Sequence, residues 1–315
     1  MANRKWSTTD LLMLAVVTIW GINFSVLKLA LADFSPLAFN ALRFSAATVL
    51  TLTILRLRGE SFSLTRRDLP PIFGLGLLGH TLYQVIFING LARTSPSNSS
   101  LLMATSPIWV AVYGHLLGIE RNNRLVWTGI LLSFSGTLLL ILGGGGGLSL
   151  TGSKMWGDVL ILVAAMAWAV YTTASKPLLA RYSPLKLTAF TMLAGTLPLD
   201  LISLPALLRQ DWAAISAGAW GGLLYSSVFA VAVGYVFWYT SVQRIGNART
   251  AVYSNLTPVI AVIVAWLALG DRLAPLQLLG ALVVLGGIVL TRRGRTRVGV
   301  RELGSVGERE SGSRG

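Results

Sequence analysis

Apolar runs of about 20 residues follow one another along nearly the whole chain, and a helix of that length is what crosses ~30 Å of hydrocarbon. Reading for such runs gives ten, near 11–31, 36–56, 70–91, 97–118 and 124–142, then 156–178, 185–208, 217–242, 247–269 and 274–291. Breakers separate them: Ser35-Pro36, Pro70-Pro71, Ser95-Pro96, the run Gly143 to Gly147, Ser183-Pro184 and Ala274-Pro275. Lipid cannot hydrogen-bond a backbone, so a chain spans it as helix or closed barrel. The expected fold is an all-α integral membrane protein of ten transmembrane helices. The connections are too short to hold a separate soluble domain.

Composition agrees. Only 12% of the 315 residues are charged, against about 25% in a soluble domain, and mean hydropathy is +0.68. The net charge of +14 accompanies no basic stripe interleaved with aromatics, so nucleic-acid binding is a poor reading of it. The excess Lys and Arg read instead as topology signals. With the N-terminus cytoplasmic, the cytoplasmic segments hold Arg4 and Lys5; Arg56, Arg58, Arg66 and Arg67; Arg121 and Arg124; Arg181 and Lys186; Arg244 and Arg249; and an Arg-rich tail. The other side holds Arg93, Lys154, Arg209 and Arg272. Both termini are therefore expected in the cytoplasm, and the membrane to be a bacterial inner membrane. The first run resembles a signal peptide, but it contains Trp20, Asn23 and Lys28 and has a counterpart later in the chain.

That counterpart belongs to an internal repeat. A shift of 151 places Pro107 on Pro258, Glu120-Arg121 on Asp271-Arg272, Gly129 on Gly280 and Gly136 on Gly287. Nearer the start a shift of 148 places Trp20 on Trp168, Lys28 on Lys176 and Pro36 on Pro184. Each copy has five runs, an odd number, so the second copy must enter the membrane from the opposite side. This is the inverted-repeat arrangement of many secondary transporters, with a site near the midplane between the copies. The expected units are residues 1–142, a Gly-rich connector at 143–155, a second copy at 156–291, and a disordered basic cytoplasmic tail at 292–315.

Polar and amphipathic residues inside such runs mark the candidate site, because they face a bundle interior or a wet cavity. The third run carries His80, Tyr83, Gln84 and Phe87 on one helical face. The sixth carries Trp168, Tyr171, Thr172 and Ser175 on another, and the first carries their repeat mates Trp20 and Asn23. The eighth contributes Tyr235, Trp238 and Tyr239, with Tyr235 on Gln84. Met103 and Ser106, and Ser254 and Asn255, precede or adjoin Pro107 and Pro258. Together they would wall a cavity with aromatic rings and a few hydrogen-bonding groups, suited to an amphipathic zwitterion or an aromatic side chain. The alternatives are helix packing or interfacial belting for the aromatics, a structural bond for His80 and interhelical bonding for Asn23 and Asn255. Pro107 and Pro258 free backbone carbonyls and are hinge candidates, or static kinks. Lys28 and Lys176 are gate or anchor candidates. Arg43, about two turns into the second run, is expected to pair with Asp33 or to snorkel rather than to meet a solute carboxylate.

Three stretches carry a family resemblance: Trp20-Gly21-Ile22-Asn23 followed by Lys28; Pro36 to Phe44; and Ala251 to Gly270, with Pro258 in its middle and Asp271-Arg272 after it. With these the chain resembles the drug/metabolite transporter superfamily, specifically its EamA-type ten-helix exporters, over roughly residues 10–291. Within it, the chain is most similar to YddG-type exporters of aromatic and other amino acids. The resemblance implies a five-plus-five inverted repeat around a central cavity and export of amino acids or related metabolites. Drugs, nucleosides and organic cations are the alternative cargo.

The chain has no cysteine and two histidines in separate runs, so no metal, cofactor or catalytic constellation is expected and an enzyme is disfavoured. The Gly143 to Gly147 run lacks the Gly-Lys-Ser/Thr ending of a phosphate loop. No carboxylate stands at mid-membrane, Asp200 being the most embedded, which speaks against proton antiport. Alternating access down the solute gradient, by a monomer in lipid, is the expected mechanism. A channel would share the helices but not the saturable flux.

Overall fold

The structure, a computed structural model, describes residues 7–143, 153–269, 274–294 and 296–298. Helices account for almost all of it. They are α1 (Thr8–Ala30), α2 (Pro36–Leu57), α3 (Arg66–Arg93), α4 (Pro96–Met103), α5 (Ser106–Leu116), α6 (Arg124–Gly143), α7 (Ser153–Leu179), α8 (Pro184–Arg209), α9 (Ala217–Ile245), α10 (Asn247–Ala251), α11 (Leu256–Leu269) and α12 (Pro275–Arg293). Eight of these, α1, α2, α3, α6, α7, α8, α9 and α12, are long and apolar enough to cross a membrane.

The surface shows which solvent this fold meets. Leu57, Leu208 and Leu29 are 81%, 78% and 75% exposed, while Asn40, Thr172, Ser175 and Asn255 are fully buried. In water that distribution would be reversed. This is a multi-pass membrane protein with its polar seam inside.

The breakers of the sequence are helix starts. Pro36, Pro96, Pro184 and Pro275 each stand at the opening of a helix, where the missing N–H costs nothing. The hydroxyls of Ser95 and Ser183 accept from the backbone N–H groups of Asn98 and Lys186. Two expected spans differ from the reading. Run 97–118 is two helices, α4 and α5, broken at Ala104–Thr105. Run 247–269 is α10, a 3-10 turn at Val252–Asn255, then α11. The breaks come just before Pro107 and Pro258, which cannot donate to the preceding turn. Of the expected tail, residues 292–294 and 296–298 are described, and 295 and 299–315 lie outside the described set. α12 continues through Arg293, and Thr296–Val298 pairs antiparallel with Glu120–Asn122. Arg292 bonds Asp10 at 2.7 Å, and Arg249 donates to the carbonyl of Gly294. Of the expected connector, Gly143 closes α6 and 153–155 open α7; residues 144–152 lie outside the described set, as do Gly270, Asp271 and Arg272.

Lipid supplies no hydrophobic drive between helices, so close packing and polar bonds hold them together. The most extensive helix pair is α6 with α12. A Cβ on Gly129 would stand 2.6 Å from the carbonyl oxygen of Gly287, and one on Gly287 2.6 Å from that of Gly129. Gly136 and Gly280 meet in the same way at 2.7 Å. α2 and α8 are joined by a 2.9 Å hydrogen bond between the hydroxyls of Thr48 and Thr196 and by Ser45 donating to Asp200 at 2.8 Å. Asp33, expected beside Arg43, instead accepts from the backbone N–H of Ser216 at the start of α9. Hydrogen bonding to Ser216 holds its carboxyl below the usual carboxylate range.

Gly136→Val should push α6 off α12 and cost about 1–3 kcal/mol of stability. Gly286→Ala, on the open face of α12 with nothing within 4 Å, should be neutral. Thermal denaturation of the purified protein in detergent, followed by size-exclusion recovery, separates the two.

Candidate functional site

A cavity of about 100 Å³ lies between α1, α3, α4, α7 and α9 and the breaks before α5 and α11. Space on that scale holds several waters. Nine of the residues singled out in the sequence line it: Trp20, Asn23, Tyr83, Gln84, Met103, Ser106, Trp168, Tyr235 and Ser254. Trp20 and Trp168, repeat mates by the sequence shift, pack edge-to-face with centroids 5.7 Å apart. Tyr83 lies 5.4 Å from Trp168, and Tyr235 5.3 Å from it.

The backbone is shaped to suit. α3 and α9 each widen into a π-helical stretch, Leu77–Leu82 and Ser226–Val233, a distortion that misaligns carbonyls and often marks functional positions. In α9 the carbonyl of Ala230 accepts from the indole of Trp20 at 3.0 Å. The break before α5 frees the carbonyl of Met103, which accepts from Ser106 Oγ at 2.6 Å; that before α11 lets Ser254 Oγ donate to Ala251 at 2.7 Å.

Five expected residues are not in the wall. His80, Tyr171, Trp238, Tyr239 and Asn255 form a layer behind it. His80 Nε2 shares hydrogen bonds with the Tyr171 hydroxyl at 2.8 Å and Thr191 at 3.2 Å, and the ring is fully buried behind Tyr235 and Phe44. Tyr239 bonds Ser175 at 2.6 Å, Trp238 donates to Thr172 at 3.3 Å, and Asn255 donates to Ser133 at 3.1 Å. Helical spacing puts them near the right face, but a face is wider than a wall, and α7, α8 and α6 cover them.

The cavity also contains Phe87, named above on the face of the third run, and residues the reading passed over as site candidates: Phe24, Leu27, Arg43, Ser100, Ala104, Ala230, Val231 and Thr257. Phe24 and Leu27 continue the face of Trp20 and Asn23 at helical spacing, a signal already in the sequence. Arg43 had no such signal. It is 3% exposed, and its Nη2 donates to Asn40 Oδ1 at 2.7 Å and Gln84 Oε1 at 2.9 Å, its Nη1 to Ser226 Oγ at 3.2 Å. Asn40 in turn donates to the Gln84 carbonyl at 3.1 Å, and Gln84 Nε2 to the Tyr235 hydroxyl at 2.9 Å. The guanidinium therefore neither pairs with Asp33 nor snorkels. It stands in the cavity wall within a network of neutral partners.

The hinge and gate candidates divide. Pro107 and Pro258 are buried and stand at the start of helical segments rather than kinking continuous ones. Lys28 is exposed in the last turn of α1. Lys176 is paired with Glu120, whose carboxylate, 1% exposed, also accepts from the backbone N–H groups of Asn247 at 2.7 Å and Ala248 at 3.2 Å. Gly246, at φ 93°, makes the turn that aims these groups at Glu120. Arg181–Asp68 and Arg292–Asp10 are the other ion pairs among the described residues. All three lie at the end of the bundle where α1 starts and α12 finishes. The cavity instead extends toward the opposite end, through Leu27, Phe87 and Ser100 near the α1–α2 and α3–α4 turns.

Comparison with known proteins places this arrangement. The sequence matches the EamA-like transporter family over residues 7–142 and again over 155–293. The chain belongs to that family. Among curated relatives, it is 29% identical to the uncharacterized transporter YyaM of Bacillus subtilis over 279 residues, 88% of this chain and 91% of that one. It is 30% identical over 304 residues to a probable terminal-alkyne amino-acid exporter of Streptantibioticus cattleyicolor, covering 95% and 97% of the two chains. A solved structure described as "Crystal structure of protein" shares the fold, with a TM-score of 0.76 at 18% identity over 90% of this chain and 96% of that one. The family and these relatives are described as transporters, not enzymes.

Because the natural chain has no cysteine, single introduced thiols report on the cavity without background. Met103→Cys and Ser254→Cys should react with a small water-soluble methanethiosulfonate. Ser133→Cys, at a fully buried position between α6 and the turn before α11, should not.

Proposed function

We propose that this EamA-like protein is a secondary transporter of the bacterial inner membrane that exports amino acids, aromatic and other neutral ones first, by alternating access. The observation that carries the reading is the cavity itself, walled by six aromatic and seven hydrogen-bonding residues and extending toward the end of the bundle opposite the Glu120–Lys176 ion pair. Such a wall can take the ring and the polar head of one small molecule at once. The terminal-alkyne amino-acid exporter among the relatives supports that cargo class.

Alternating access needs two interchangeable halves. Several contacts support an inverted repeat of five helices per copy, ten in all. Under its pseudo-two-fold axis, repeat mates that lie near the axis must touch each other. Trp20 touches Trp168, Thr48 bonds Thr196, and Gln84 bonds Tyr235. The glycine contacts between α6 and α12 exchange under the same operation, since Gly129 corresponds to Gly280 and Gly136 to Gly287. The twin π-helical stretches and the twin broken helices support it too. With the Lys- and Arg-rich end cytoplasmic, the Glu120–Lys176 pair closes the cytoplasmic side and the cavity faces outward. The nine wall residues from Trp20 to Ser254 are then the solute contacts.

Proteoliposomes loaded with unlabelled amino acid should show saturable counterflow of labelled amino acid. Linear flux would indicate a pore instead. Trp168→Ala should lower counterflow well below wild type without lowering the amount of protein in the membrane. Glu120→Gln removes the charge that holds Lys176 and the α10 N-terminus, so Ser254→Cys in that background should become reactive to impermeant reagent added from the cytoplasmic side. Unchanged protection there would rule out the pair as a gate.

A further inference from the structure

The Arg43 network is short of one charge. The side chain is 3% exposed, the three acceptors it reaches are all neutral, and Nε has no acceptor among the described residues. None of the ion pairs among the described residues includes it. Its guanidinium lies 5.1 Å from the centre of the Phe44 ring and 5.7 Å from that of Phe39, which soften the charge but cannot neutralise it. At 1.5 Å per residue it sits about 10 Å along α2 from Pro36, well inside the helix. An ionised group held at such depth is expensive, and it persists where a function uses it. In the same cavity Asn23, 8% exposed, presents an Oδ1 that also has no partner.

We propose that Arg43 is the receptor for the solute's carboxylate, and that Asn23 accepts a hydrogen bond from the solute's amino group. This rests on the reading of the cavity as a solute site and narrows its cargo to molecules bearing a carboxylate. Guanidinium and carboxylate form the strong, charge-assisted pair that a partly desolvated site favours. The carboxylate takes the Nε–H and competes with Gln84 and Asn40 for Nη2. The displaced Gln84 amide keeps its bond to Tyr235, so solute binding is relayed from α2 and α3 to α9. Ser226, in the π-helical stretch of α9, holds Nη1 and keeps the fork in place. No carboxylate among the described residues lines the cavity, so an organic cation finds aromatic faces but no counter-charge there, and it meets the positive charge of Arg43 besides. Amides and decarboxylated amines are rejected for the same reason.

The test uses the full-length protein and four probes that share one ring: L-phenylalanine, L-phenylalaninamide, phenethylamine and 3-phenylpropanoate. Thermal stabilisation of purified wild type reads binding, and inhibition of counterflow reads transport. Expected are stabilisation by the two carboxylates, L-phenylalanine the stronger, and binding of the amide and amine weaker by about 10- to 100-fold, the worth of a hydrogen bond to a charged group. Arg43→Gln should abolish the carboxylate preference, and Arg43→Lys should restore part of it. Should Arg43→Gln fail to fold, acid-versus-amide discrimination by the wild type still decides. Equal stabilisation by acid and amide, or none by either carboxylate, overturns the proposal. Carboxylate-selective binding that depends on Arg43 without any counterflow upholds the anion site and overturns the transport reading instead.

Discussion

Hydrocarbon imposes the governing constraint here: a backbone or side-chain polar group that leaves water must find its partner inside the protein. The long helices settle the backbone, but they leave a second problem. Lipid tails attract leucine as well as another helix does, so leucine cannot glue the bundle together. The chain answers with small residues where backbones must approach and with polar side chains where bonds must cross. The glycine crossing of α6 and α12 and the threonine pair joining α2 to α8 are instances of each.

The same inward-turned polarity makes the site. The helices converge with aromatic rings on one part of the wall and amide, hydroxyl and guanidinium groups on another. π-helical stretches and broken helices relax the hydrogen-bond ladder near the wall, which turns backbone carbonyls into acceptors and lets side chains such as Trp20 and Ser106 lock onto them. Departures from regular helix thus concentrate around the cavity, as expected where irregular backbone is tolerated only when it lines protein or a wet space. At the other end Glu120 gathers an ammonium and two backbone N–H groups in a buried place. A charge so held is stable only while all its donors stay, which suits a contact that is either fully made or fully broken.

The behaviour of individual residues shows how far one dimension reaches. Trp20, Trp168, Tyr83 and Gln84 were legible as cavity residues, because helical spacing and the repeat both select the interior face. His80 and Tyr171 have the same spacing, yet they bond one another behind the wall. The difference is set by how closely α3, α7 and α8 pack, and spacing carries no information on that. Arg43 failed in the other direction. From sequence, an arginine two turns from a helix end with an aspartate before it reads as a surface pair. In space Ser216 has taken Asp33, and Asn40, Gln84 and Ser226 from three helices have taken the guanidinium.

By itself the sequence determined the solvent, the all-helical fold, the prolines that open four of the helices and the membership of a transporter family. These follow from local composition and from a repeat readable by alignment alone. Only the tertiary structure decided which two runs break, which aromatics are wall and which are backing, and that Arg43 stands in the cavity wall with no charged partner among the described residues. Those depend on interhelical distances and on competition between partners far apart in sequence, and a linear pattern does not encode who wins that competition.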